Sequence, residues 1–124
     1  MIKVPKAMYH VTATLALLAA LAVPAVAQDF VPGFEDLPLM GGLTPVAGPG
    51  HIFDTPSGRL IESHAHGTHT RVQVEAFYDE SLTPLGWRPV GKGRYRREKE
   101  MLLINTSGQD GDLTVVFRLA PDRH

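Results

Sequence analysis

Three histidines fall within six residues, in the run His64-Ala65-His66-Gly67-Thr68-His69. Side chains alternate along an extended strand, so His64 and His66 share one face and Glu62 shares it with them. His69, two residues past Gly67, can fold back toward that face. Neutral imidazoles are good zinc ligands, and three of them with one open position can activate a water molecule. His64, His66 and His69 are therefore the candidate metal ligands, with Glu62 as a fourth ligand or a base. The helical His-Glu-x-x-His spacing of zinc proteases is absent, and the His-x-His of metal-dependent amidohydrolases belongs to a barrel too large for this chain. The plainer expectation is a polar strand face that happens to use histidine, with no resident cofactor.

A second cluster is cationic. Arg88, Lys92, Arg94, Arg96, Arg97 and Lys99 are interrupted by one acid, Glu98. Arg94 and Arg96 fall on one face of a strand, opposite Tyr95 and Arg97. Such a patch suits anionic lipid headgroups, phosphate-bearing glycans or an acidic partner. It also suits a solvated edge hairpin whose charges prevent edge-to-edge pairing. Nucleophilic catalysis has little support: there is no cysteine and no Gly-x-Ser-x-Gly elbow. Ser57 and Ser63 lie near Asp54 and His64, but sequence neighbours on strands do not make a triad without its specific geometry. Gly41-Gly42 and Gly91-Lys92-Gly93 lack the strand–loop–helix setting of a phosphate-binding loop. The paired acids Glu35-Asp36 and Asp79-Glu80 read as solvated surface.

The elements that would position these residues begin after a leader. Met1–Ala27 reads as a secretory signal peptide: Lys3 and Lys6 precede an apolar run, Pro24 breaks it, and Ala25-Val26-Ala27 gives the small-x-small cleavage pattern. The alternative is an uncleaved anchor helix, at the lower length limit for a membrane span. No other segment is apolar enough to cross a bilayer, so no stable span is expected after cleavage. The whole chain has 124 residues and a formal net charge of −1. Loss of Lys3 and Lys6 makes the remainder more acidic, a poor profile for a nucleic-acid binder. The chain is also too short for a Rossmann pair or a TIM barrel. Export permits disulfides, yet there is no cysteine, so an apolar core alone must hold the fold. A domain of this size buries only about 60–65% of its unfolded surface.

Residues 28–50 form an arm with four prolines and five glycines. Proline excludes a long helix or a central strand, but Phe30, Val31, Phe34, Leu37, Leu39, Met40, Leu43 and Val46 are too apolar for a plain linker. The arm is expected to wrap over the domain. The alternative is that Phe34–Met40 docks a partner.

Residues 51–124 read as a single α+β domain. Ile52-Phe53-Asp54, the turn Thr55-Pro56-Ser57-Gly58 and Arg59–His66 make a hairpin. Thr70–Leu85 is the one helix, opened by a Thr70/Gln73 capping box, with Val74, Phe77, Tyr78, Leu82 and Leu85 as its apolar stripe; Pro84 should kink or end the regular helix near Leu82, and Gly86 can serve as a left-handed cap. Trp87–Val90, Arg94–Arg97, Met101–Asn105 and Leu113–Leu119 are strands joined by glycine-containing or tight turns, the last of them the loop Ser107–Asp112. The expected fold is ββ-α-ββββ: an antiparallel meander with one helix packed on one face and the other face largely wet.

Phe77-Tyr78, Leu82, Gly86-Trp87 and the closing strand Leu113–Phe117 resemble small exported bacterial proteins with a Phe-Tyr…Leu…Gly-Trp signature. Phe30–Met40 and Phe53–Arg59 are similar to segments of exported alphaproteobacterial proteins with no assigned activity. The resemblance implies a fold and a compartment and carries no catalytic residue. The expected function is a non-enzymatic periplasmic or secreted module that binds a protein or cell-envelope component. The alternatives are a small zinc-type metal-binding protein using His64, His66 and His69, and a secreted enzyme inhibitor.

Overall fold

A computed structural model describes residues 28–47 and 51–122. The expected leader lies outside the described residues. The chain runs β1 (Thr44–Pro45), β2 (His51–Thr55), β3 (Gly58–Gly67), α1 (Arg71–Leu82), a 3₁₀ turn (Thr83–Leu85), β4 (Arg88–Gly91), β5 (Arg94–Arg97), β6 (Glu100–Gln109) and β7 (Asp112–Pro121). All pairings are antiparallel, in one seven-stranded sheet of order β1-β3-β7-β6-β5-β4, with β2 also paired to β3. β4 to β7 are the expected meander. The β2–β3 hairpin joins it alongside β7, and α1 spans the inner face between the two sets.

Alternation along the strands decides which face is dry. Ile61 and Ala65 of β3, Leu102 and Ile104 of β6, and Leu113, Val115, Phe117 and Leu119 of β7 are buried against Val74, Tyr78 and Leu82 of α1. The register stacks them: Ile61 and Leu102 both lie opposite Leu119, and Ile104 lies opposite Phe117.

The helix begins as its capping box predicts. The Gln73 N–H donates to Thr70 Oγ1 at 3.1 Å and the Thr70 N–H donates to Gln73 Oε1 at 3.0 Å. Its end follows too, except at Leu85. Pro84 cannot supply a helical N–H, and the chain tightens to a 3₁₀ turn before Gly86 caps it at φ 92°. The tighter turn rotates Leu85 off the apolar stripe, leaving it 37% exposed instead of in the core.

The expected loop Ser107–Asp112 is also shorter than the sequence suggests. β6 continues to Gln109 and pairs it with Asp112. This requires glycine at 108, where φ is 92° and a Cβ would lie 2.6 Å from the Asp112 carbonyl oxygen. The turn is then fastened to the start of α1: the Arg71 N–H donates to Asp110 Oδ1 at 2.8 Å and the Gly111 N–H to the His69 carbonyl at 3.1 Å. A carboxylate at a helix N-terminus is favoured by the helix dipole.

The arm wraps. Among the described residues, Val31, Leu37, Leu39 and Leu43 supply four of the 17 buried apolar residues of the core cluster. It is pinned from both sides: the Tyr78 hydroxyl donates to the Pro38 carbonyl at 2.8 Å, and Arg97 Nη1 donates to Asp36 Oδ2 at 2.7 Å. Leu37 and Leu39 face inward, so Phe34–Met40 is core rather than a docking segment. Thr44 and Pro45 of the arm form β1, which pairs with His66 and Ala65 at the sheet edge.

Candidate functional site

The β3 register places Glu62, His64 and His66 on the outer face of the sheet, as alternation predicts. Each histidine there has its own acid. His64 Nε2 lies 3.0 Å from Glu62 Oε1, whose other oxygen accepts from Arg118 Nε at 2.6 Å. The hydrogen bond from His64 and then that from Arg118 hold the Glu62 carboxyl down at about 2, against an ordinary 4.5. His66 Nε2 pairs with Asp112, across the sheet on β7.

His69 does not join them. Gly67 and Thr68 lead the chain off the sheet toward the arm, and His69 Nε2 donates to the Gly41 carbonyl oxygen at 2.7 Å. The neighbouring Gly42 sits so close that a Cβ would stand 2.5 Å from that nitrogen. An Nε2 that donates a proton to a carbonyl has no lone pair for a metal. Among the described residues, no group of three histidine or carboxylate side chains could hold an ion. The three-histidine zinc site is therefore corrected to two separate imidazole–carboxylate pairs and one histidine that fastens the arm.

The six cations divide in the same way. Arg97 follows Tyr95 to the inner face, where its guanidinium carbon sits 4.2 Å from the Trp87 ring centroid and Nη1 also donates to the Leu85 carbonyl at 3.0 Å. Lys92 leans toward Glu75 at 3.9 Å, and Lys99 occupies the exposed β5–β6 turn. Only Arg88, Arg94 and Arg96 share the outer face. Arg96 is paired with Asp122 at 2.6 Å and stands directly opposite Arg88 on β4. Like charges facing each other across a ladder repel, which leaves Arg88 and Arg94 suited to an anionic group from outside. The single basic hairpin surface is corrected to this smaller outer-face set.

Beside it lies a feature that sequence reasoning missed. A shallow concavity of about 300 Å³ is lined by His51, Phe53, Leu60, Leu103, Arg118 and Ala120, among others. The Phe53 ring is 56% exposed and stacks on His51 at 6.0 Å between centroids. Its signal was present in the two-residue turn Pro56-Ser57: that turn sets Phe53 opposite Leu60 and His51 opposite Glu62, so all four share the outer face.

A larger cleft of about 450 Å³ lies between α1 and β4–β6, lined by Arg71, Glu75, Asp79, Lys92, Tyr95 and Asn105, among others. Its polar groups are turned on one another. The Tyr95 hydroxyl donates to Asp79, and Arg71 Nε donates to Thr106 Oγ1 at 2.8 Å. Burial, and next the bond to Asp79, push the Tyr95 hydroxyl well above its ordinary range. The outer face, where the apolar concavity lies one strand from the Arg94 guanidinium, which pairs with no acid among the described residues, is the stronger candidate. No protein-family model, curated protein or solved structure matches the chain, and the functional reading rests on this geometry.

Proposed function

We propose that the protein is an exported binding module of the periplasm, released from its leader after Ala27, that acts through the outer face of its sheet on a protein or cell-envelope component. The observation that carries this reading is the apolar concavity around Phe53, Leu60 and Leu103 in line with the guanidinium group of Arg94. Leu103 lies opposite Arg94, so apolar contact and anion pairing fall within one cross-strand row. Exposed apolar surface rimmed by charge is the usual composition of an interaction site. The leader pattern, with Lys3 and Lys6 before an apolar run, Pro24 and Ala25-Val26-Ala27, supports the compartment.

A photo-crosslinking residue placed at Leu103 in whole cells should give a discrete adduct, and the same residue at Glu80, on the outer side of α1, should give none. Arg88→Glu with Arg94→Glu should abolish the adduct while the fold is retained. Equal labelling from both positions, or an adduct indifferent to the charge reversal, would overturn the assignment. N-terminal sequencing of the periplasmic form should start at Gln28.

A further inference from the structure

The two edges of the sheet are built differently. β4 ends one side with Arg88, Pro89 and a register slip between Pro89 and Gly91, and all three are devices that prevent a second sheet from pairing there. β2, on the other side, carries no proline, lysine or bulge in its five residues, and it leaves Ile52 57% exposed beside Phe53.

Among the described residues nothing pairs with the outer edge of β2, and the direction of its backbone groups can be read from the register. The His64 carbonyl accepts the Val46 N–H at 2.9 Å, so the even residues of β3 turn their backbone groups toward this edge. Their β2 partners His51, Phe53 and Thr55, opposite Glu62, Leu60 and Gly58, bond inward. By alternation, Ile52 and Asp54 direct N–H and C=O outward.

We infer that β2 pairs with β2 of a second copy, antiparallel about a twofold axis at Phe53. This register alone lets Ile52 and Asp54 of one copy exchange both backbone bonds with Asp54 and Ile52 of the other, four in all. It is self-complementary, as a twofold interface must be. Asp54, the strand's one acid, faces isoleucine rather than its own copy, and His51 faces Thr55. The two Phe53 side chains meet as a non-hydrogen-bonded pair, about 4.5 Å apart at Cα, on the outer face. The concavities of both copies then run together into one trough. The contact is small against the about 1,200–2,000 Å² of a standard interface, so association is concentration-dependent rather than obligate.

The chain has no cysteine, which makes a register test possible on the full protein. Phe53→Cys should form a disulfide-linked dimer under mild oxidation, because its Cα separation across the axis suits a disulfide. Ile52→Cys and Thr55→Cys, which face unlike residues, should not. Sedimentation velocity should show the wild-type mass rising toward twice the monomer with concentration. Asp54→Pro, which removes an outward N–H and no backbone bond to β3, should stay monomeric with an unchanged circular dichroism spectrum, and so should Phe53→Lys. Equal cross-linking at all three positions, a monomer at all concentrations, or a Phe53→Cys adduct only with a different protein would overturn the pairing; the last would assign the edge to another protein's strand.

Discussion

Replacing Tyr78 by phenylalanine tests whether the arm is part of the fold. The Tyr78 ring is buried and stands edge-on to Phe77 at 4.9 Å and to Phe117 at 5.5 Å, and Tyr78→Phe keeps those contacts. It removes one oxygen that donates to the Pro38 carbonyl at 2.8 Å and accepts the Met40 N–H at 3.3 Å. A net intramolecular hydrogen bond contributes about 0.5–1.5 kcal/mol, and a stranded buried partner costs about 1–3 kcal/mol. Pro38 and Met40 are only half-buried, so water can rescue part of the loss. The expected destabilisation is about 1–2 kcal/mol, a fall in Tm of about 4–16 °C for a domain below 100 residues. Urea unfolding with an unchanged m value gives the energy, and hydrogen exchange at the Met40 amide shows where the loss falls. Leu37→Ala, which empties a buried arm position, should cost about 2–5 kcal/mol. If Tyr78→Phe costs below about 0.5 kcal/mol and Leu37→Ala below about 1 kcal/mol, the arm lies on the domain without belonging to its core.

Phe117→Ala should destabilise by about 3–5 kcal/mol and the half-buried Phe77→Ala by roughly half of that; equal costs in denaturant titrations would contradict their different burial. By NMR, the Glu62 carboxyl should titrate near 2 and move up toward 4.5 in His64→Ala or Arg118→Ala. Because its folded value is depressed, its stabilising effect is complete above pH 4.5 and is lost as pH falls toward 2. A wild-type midpoint at 4.5 would remove the His64–Glu62–Arg118 row as a fixed unit. Tyr95 is raised above its ordinary 10.0, so the unfolded chain ionises first. Stability is complete below pH 10 and declines as pH rises beyond it. Burial raises the Tyr78 hydroxyl in the same direction, so Tyr95→Phe should lessen that alkaline decline in urea midpoints without abolishing it, and an unchanged slope would show that Tyr95 ionises as freely folded as unfolded.

What the sequence made legible was local. The capping box at Thr70, the limits of β5 and the inward row Val115-Phe117-Leu119 each depend on residues within one turn or one strand. The divergent features depend on partners far along the chain. Alternation put Arg97 on the Tyr95 face, but that the face is covered there follows from Asp36, 61 residues away. The length of β6 follows from Asp110 reaching the start of α1, 39 residues back, which outweighs the turn-forming tendency of Ser107-Gly108. His69 read as one of three ligands because the three histidines are neighbours in sequence. Its actual partner, the Gly41 carbonyl, is 28 residues earlier and belongs to an arm whose path no periodicity encodes.

The arm also explains why the outer face carries the exposed aromatic surface. α1 is a single helix of 12 residues, about 18 Å long, and one helix cannot cover the inner face of seven strands. The apolar residues of 31–43 cover what α1 leaves open, so the chain holds a disulfide-free core by drawing its N-terminal apolar residues inward. Full burial of a phenylalanine or isoleucine side chain stabilises by about 1.5–3 kcal/mol. A domain this dependent on its core nonetheless leaves Phe53 and Ile52 more than half exposed, on the one edge strand lacking proline, lysine or bulge. The arm comes within reach of that strand, since Gly33 lies against Ile52, yet it stops short of covering it. Stability alone does not favour that arrangement; a second copy paired along β2, with a partner seated on the joined outer faces, does.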